Sequence, residues 1–288
     1  MHCLDKEHQC IEVLRSNLEP LNKFNQNWET YENEFDKKIH DILDEIESIG
    51  HDDHPMFYFI DPFGYSGFPM KTIKRILEYP RSELFINFMV HDINRFCEQE
   101  LFKNQFIDLF GSEKFLDVNL SRNPEERQSF LLNLYCENIY SLTEAKFIMR
   151  FRINTPGKGT RPRYYLIHVS KNLKALKVMK DQMSKVSEVD YRFEAIGMDT
   201  QQMSLFDDPE KLKMIDQISF FCESHFPKNI EYGEIEDWAY VNTNGVSKTI
   251  KETLLQLEEE DKIHVERQPS QRKSTVTKGA SIRSSKNN

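Results

Sequence analysis

No apolar run in this 288-residue chain comes near the ~20 residues that span a bilayer. The amino end also lacks the charged-then-apolar pattern of a secretion signal. The expectation is therefore a cytoplasmic protein without membrane contact. Cysteine is sparse: Cys3, Cys10, Cys97, Cys136 and Cys222 are scattered, and no two have CxxC spacing. That argues against a zinc site or a disulfide framework and for reduced thiols, and no metal is expected. A surplus of positive charge is missing too. The formal net charge is −9, which excludes a surface coated for general nucleic-acid binding. The carboxyl end is the exception. From Gln268 onward there are five Lys and Arg and no acid, so the rest of the chain carries −14, the total less that +5.

Length leaves room for two domains. The most informative stretch runs from Met56 to Met70. Its apolar run, Met-Phe-Tyr-Phe-Ile, stops at Asp61-Pro62, and Gly64, Gly67 and Pro69 follow before a helical pattern from Lys71 to Leu77. An unbroken apolar run reads as a strand buried on both faces. Proline near a helix start suits the first turn. The result is a strand, a tight loop and a helix, with a carboxylate at the strand's carboxyl end. Ligands of open α/β sheets sit at that edge. Asp, Pro and Gly also make ordinary turns, so the plain alternative is a turn and nothing more.

The chain opens with the end of a strand, His2 to Asp5, then an amphipathic helix, Glu7 to Leu18. Asp5 stands either where a ribose hydroxyl is held or as a helix N-cap. A short strand near Phe24–Tyr31 and a helix over Glu34–Ile49 follow. His51-Asp52-Asp53-His54 reads as a polar loop rather than a metal set. Glu83 to Val90 is a second apolar strand, leading to Asn87, His91, Asp92, Asn94 and Arg95 at its end. Pro124 opens a helix to about Leu142. Lys146–Ile153 and Tyr164–Val169 read as an antiparallel hairpin around a basic Gly/Pro loop, with a helix over Asn172–Met183. Residues 193–209 read as a linker. Three helices follow, over Lys211–Phe226, Glu234–Tyr240 and Val246–Glu259. Strands at Ile263–Val265 and Ser274–Thr277 then complete a winged helix-turn-helix over 210–278. Residues 279–288 read as a disordered basic tail.

These features together resemble the three-Cys-motif partner proteins. The resemblance rests on Cys-Leu-Asp-Lys-Glu at 3–7, Phe-Ile-Asp-Pro-Phe-Gly-Tyr-Ser-Gly-Phe-Pro-Met at 59–70 and Phe-Ile-Asn-Phe-Met at 85–89. Tyr-Tyr-Leu-Ile-His-Val at 164–169 and Met179-Lys180 extend it over nearly the whole chain. The 59–70 motif is its specific part. The resemblance implies an α/β fold: a class I methyltransferase-like, Rossmann-like sheet over 1–192, closed by the antiparallel hairpin and followed by the winged helix. It implies S-adenosylmethionine as cofactor and a three-Cys-motif radical-SAM-like protein as partner, with DNA or RNA as a further one. That family opens on a strand and a glycine-rich cofactor loop. Here no Gly-x-Gly precedes residue 157, so the sheet is expected to begin at its second strand and to lack the first.

By resemblance Asp5 holds the cofactor ribose and Glu34 lies near the adenine. The catalytic loop is Asp61, Pro62, Phe63, Gly64 and Tyr65. It is similar to the Asp/Asn-Pro-Pro-aromatic loop of amino-methyltransferases, in which the acid and a backbone carbonyl accept hydrogen bonds from the target amine. Phe63 and Gly64 depart from that pattern, with Tyr65 supplying the aromatic one place later. In the winged module, Asn244, Lys248 and Lys251 are candidates for base contact, and Arg267, Arg272 and Lys273 for phosphate contact. Winged helices also dock proteins, and the third helix carries Glu252, Glu258, Glu259 and Glu260. Two functions stand open: a nucleic-acid-directed methyltransferase, inactive as given if the glycine-rich loop is missing, and a non-catalytic partner that docks nucleic acid or the three-Cys protein.

Overall fold

The structure, a computed structural model, describes residues 1–20, 28–50, 54–62, 64, 66–118, 123–154, 162–185, 191–195 and 214–285. It is a mixed α/β protein with several small sheets. Two compact units divide it, one ending at Ala145 and the other starting at Lys146.

In the first unit β1 (His2–Asp5) and β2 (Glu29–Glu32) pair in parallel, and α1 (His8–Leu18) lies between them in sequence. They form a sheet of their own. Parallel neighbours need such a crossover, because a tight turn would reverse the chain. The helix α2 (Phe35–Ser48) buries Ile39, Ile42 and Leu43, the stripe its periodicity predicts. Next come β3 (Met56–Ile60), α3 (Met70–Glu78) and β4 (Ser82–Phe88). The two strands run parallel, in register from Met56 opposite Ser82 to Ile60 opposite Ile86. Side chains tie α2 to α3: Thr72 bonds Asp36, and Arg75 bonds both Asp44 and His40.

One expectation fails here. β4 is buried or half-buried throughout, but β3 is buried on one face only. Ile60 points inward, whereas Phe57 and Phe59 remain 56% and 58% exposed. β3 lies at the edge of its sheet, and no described element covers that face. An apolar run shows that a strand is hydrophobic on both sides; it does not show that both sides are covered.

The rest of this unit is α4 (Val90–Phe96), α5 (Lys103–Phe110) and α6 (Pro124–Leu142). Asn123 accepts the Glu126 N–H at 2.9 Å and Pro124 occupies the first turn, so α6 begins where the sequence indicates. Phenylalanine fills the space between these helices. Phe88 stacks on Tyr135 at 4.5 Å, and Phe110 on Phe115 at 5.6 Å. Gly111 ends α5 with φ +67°, and a Cβ there would stand 2.9 Å from Met70 Cγ. Glycine meets both demands at once.

The second unit opens with the expected hairpin, β5 (Phe147–Asn154) against β6 (Pro162–Ser170), antiparallel. Its Gly157-Lys158-Gly159 loop lies outside the described residues. The helix α7 (Leu173–Lys185) follows, and β7 (Tyr191–Ala195) pairs with β5. Residues 193–195, expected in a linker, are therefore strand; 196–209 lie outside the described residues. The contacts divide the chain at 145, and α7 is fastened to the helices that follow it.

Those helices are α8 (Met214–His225), α9 (Tyr232–Asn242) and α10 (Ser247–Glu259). A three-stranded antiparallel sheet packs with them, in the order β8 (Ile230–Glu231), β10 (Ser281–Ser284), β9 (Ile263–Glu266). The expected second strand at 274–277 is loop, and the expected disordered tail holds the central strand of this sheet. Ser-Ile-Arg-Ser has one apolar residue and reads as polar tail. Pairing on both edges makes it a strand, and Ile282 buries fully against Ile230, Val265, Leu254 and Leu257. This core is separate and apolar, and it includes Tyr232, Tyr240, Ile250 and Ala280.

Candidate functional site

The side chains singled out at 59–70 are placed by the register of β3 and β4. Ile60 faces Ile86, so the next residues, Asp61 and Asn87, meet at the carboxyl ends of adjacent parallel strands. Asn87 Nδ2 donates to Asp61 Oδ1 at 2.7 Å. This is a charge-assisted bond to a carboxylate. Asp61 is exposed, whereas Asn87 is only 8% exposed. Asn87 Oδ1 is buried without a hydrogen-bond partner, so the amide's one bond holds the acid. The arrangement is an exposed carboxylate fixed from behind. It can accept N–H bonds from a group arriving at the strand ends.

The loop after it is shaped by glycine. Gly64 at φ +99° donates its N–H to the Pro62 carbonyl at 3.0 Å. Gly67 sits at φ +93°. Phe68 and Met70 then anchor the return of the chain into α3. The Pro62 carbonyl is engaged inside the loop by Gly64. Phe63 and Tyr65 lie outside the described residues. On the β4 side His91 pairs with Asp92 at the surface, and Asn94 turns inward toward the Pro124 carbonyl.

Asp5 ends β1, and its Oδ1 accepts the Glu7 N–H at 2.8 Å. The side chain thus closes a local turn just before α1, whose N-cap is Glu7 and carries no side-chain cap bond. Glu34 precedes α2 just past the end of β2, caps nothing, and pairs with Lys37 at 3.0 Å on the surface. Asp5 and Glu34 therefore share the carboxyl edge of one parallel pair, and Asp61 and Asn87 that of another. Sequence reasoning placed Asn87 on the strand edge but assigned it no role. The signal available was an amide ending an apolar strand. Among the described residues, no group of three or more His, Cys, Asp or Glu side chains is placed to hold a metal ion.

The nucleic-acid candidates separate into two sets. Lys248 is exposed and 3.9 Å from Glu252, Lys251 is half-exposed, and Asn244 is exposed in the turn before α10. Arg272 and Lys273 are exposed in the loop between β9 and β10. Arg267 is different. Its guanidinium grips Glu258 with two bonds, at 2.8 and 2.5 Å, and donates to the carbonyls of Thr275 and Val265. It braces the loop against α10 and leaves no donor face for phosphate. Glu258 was not foreseen as its partner.

Burial works to raise the Glu258 carboxyl, but bonds from Arg267 and the Val265 N–H outweigh it and hold the group below its ordinary 4.5. A lowered carboxylate stabilises the fold above the unfolded value, and the benefit fades as pH falls through the folded one. Glu258→Gln is expected to cost about 2 kcal/mol at neutral pH, since a largely buried guanidinium loses its charged partner. Urea melts check this: the gap from the unsubstituted protein should close below about pH 4.

No helix among the described residues is long and apolar enough to cross a membrane. No family model matches the chain, and no curated protein or solved structure is detectably similar to it.

Proposed function

We propose that the chain is a methyltransferase-like protein directed at nucleic acid, with Asp61 receiving an amino group of the substrate. One observation carries this reading: an exposed carboxylate at the carboxyl end of a parallel strand, held by Asn87 from the neighbouring strand. Such an acid accepts an amine N–H and aims the nitrogen lone pair, which positions the nucleophile without taking its proton. The finer architecture belongs to the same proposal. β1–β2 and β3–β4, which lie in separate sheets, are two parallel pairs of Rossmann-like type, and the C-terminal helices with β8, β9 and β10 form a winged helix.

The residues present fit part of the donor. Asp5 keeps one carboxylate oxygen clear of its bond to Glu7 for a ribose hydroxyl, and Glu34 stands on the same edge for the adenine side. S-adenosylmethionine, when bound, supplies an electrophilic methyl group. The chain's own part is to hold the amine at Asp61 and to keep that acid oriented through Asn87.

The test is incubation with methyl-labelled S-adenosylmethionine and nucleic acid, alongside calorimetry of cofactor binding. Label in nucleic acid, absent with Asp61→Ala, supports the reading. The absence of both cofactor binding and label transfer overturns it. The second reading is a non-catalytic protein docking nucleic acid or a three-Cys-motif radical-SAM-like protein. It draws on the C-terminal helices and sheet, which have an apolar core of their own.

A further inference from the structure

The C-terminal helices and sheet carry their charge unevenly. α10 holds Lys248 and Lys251 but also Glu252, Glu258 and Glu259, and Lys248 lies near Glu252. That helix face has no net positive field to offer a polyanion. The loop between β9 and β10 is the opposite. It contains Arg267, Arg272, Lys273 and Lys278 and no acid; Glu266, at the end of β9, is the nearest acid in sequence.

The loop is also built rather than loose. Arg267 clamps its start to Glu258 of α10 and to the Thr275 carbonyl across the loop. Gln271 cross-braces it, donating to Thr277 Oγ1 at 2.9 Å and to the Lys278 carbonyl at 2.8 Å, while its Oε1 accepts the Gln268 N–H at 3.2 Å. Val276 is fully buried and pins the middle to the core. With Arg267 spent on this bracing, Arg272, Lys273 and Lys278 remain exposed, with no ion-pair partner among the described residues. Cations held on a braced loop cost little to order when they bind, unlike those on a floppy tail.

We infer that this loop, and not α10, is the contact for the phosphate backbone of a nucleic-acid duplex, through Arg272, Lys273 and Lys278. The occupant follows from charge. A polyanion with closely spaced phosphates matches three cations on one loop, while a chain at −9 overall repels it elsewhere. Phosphate contact thus stays on the loop, where the sequence places it, but Arg267 drops out of it and Lys278 joins Arg272 and Lys273. The inference bears on the nucleic-acid part of the proposed function but needs no methyl transfer, so the two can fail separately.

The experiment is fluorescence anisotropy with a labelled DNA duplex and the matching RNA duplex, over a salt series. Three phosphate contacts predict a log–log salt slope of about −2.7, so affinity falls about 40-fold between about 50 and about 200 mM salt. Replacing Arg272, Lys273 and Lys278 together with Gln should weaken binding at low salt more than about tenfold. The same net change made at Lys74, Lys114 and Lys174, all exposed elsewhere, should change it less than about twofold. Circular dichroism confirms that each variant is folded. If Lys248→Gln with Lys251→Gln weakens binding as much as the loop variant, the helix carries the contact and the inference fails. It also fails if the unsubstituted protein binds neither duplex at low salt, or binds only vesicles of phosphatidylcholine with phosphatidylserine.

Discussion

Asp61→Ala is expected to lower methyl transfer to nucleic acid by at least about 100-fold while leaving S-adenosylmethionine affinity within about twofold. The acid is exposed at the end of β3 and makes its described side-chain bond to Asn87 alone, so its loss should hardly move the melting temperature. What disappears is the acceptor that aligns a substrate amine, and misalignment of reacting atoms is costly out of proportion to the bond lost. Asp61→Asn keeps an acceptor oxygen and should retain more activity than the alanine variant. Asn87→Leu leaves the carboxylate in place but unheld, and about a tenfold loss is expected. Single-turnover transfer of label checks all three. Equal activity in Asp61→Ala and the unsubstituted protein would remove Asp61 from the site.

The largest expected loss of stability is at Lys180. This side chain is fully buried on α7, and its ammonium donates to the carbonyls of Tyr240 and Thr243, at 2.8 and 2.6 Å, where α9 ends. A cation satisfying the last carbonyls of a helix also suits the negative end of its dipole. The surroundings are polar and tightly paired. Asp181 accepts from the Tyr240 hydroxyl, which in turn accepts the first N–H of α10, from Ser247; Lys177 pairs with Glu236 and Asp237. Lys180→Met keeps the stem but strands two carbonyls, and should cost about 3 kcal/mol in urea unfolding.

The same residue sets a pH dependence. Burial pushes the Lys180 ammonium down to about 7, against the opposing pull of Asp181. The ordinary value is 10.5, so between these the unfolded chain binds more protons than the folded one. Stability from this group therefore rises with pH across that window. The margin of the unsubstituted protein over Lys180→Met should grow from pH 7 toward pH 10. A margin that stays flat or shrinks would show that the ammonium keeps its proton in the folded state across that range.

Periodicity carried most of the helices. α6 begins at Pro124 and ends at Leu142, where capping chemistry and composition put it, because both signals are local. The parallel pair at β3 and β4 was legible for the same reason: two apolar runs separated by a helix leave few alternatives. Asp61 was legible as an acid at a strand end. Its bond to Asn87 was not, since it depends on a register between residues 26 positions apart. Arg267 looked like one more cation in a basic stretch. Only the packing of α10 against the loop brings Glu258 to it.

Sequence alone determined most of the helical segments, that the chain has no long apolar span, and that its positive charge gathers after Gln268. Those properties follow from near neighbours along the chain. The tertiary structure decided which apolar strand face stays open, at Phe57 and Phe59, and which polar tail becomes a strand, at Ser281–Ser284. It also decided that Lys180 is a structural plug and that Arg267 is a brace. In each case the deciding partner lies far away in sequence, and burial or pairing, which no local pattern encodes, sets the outcome.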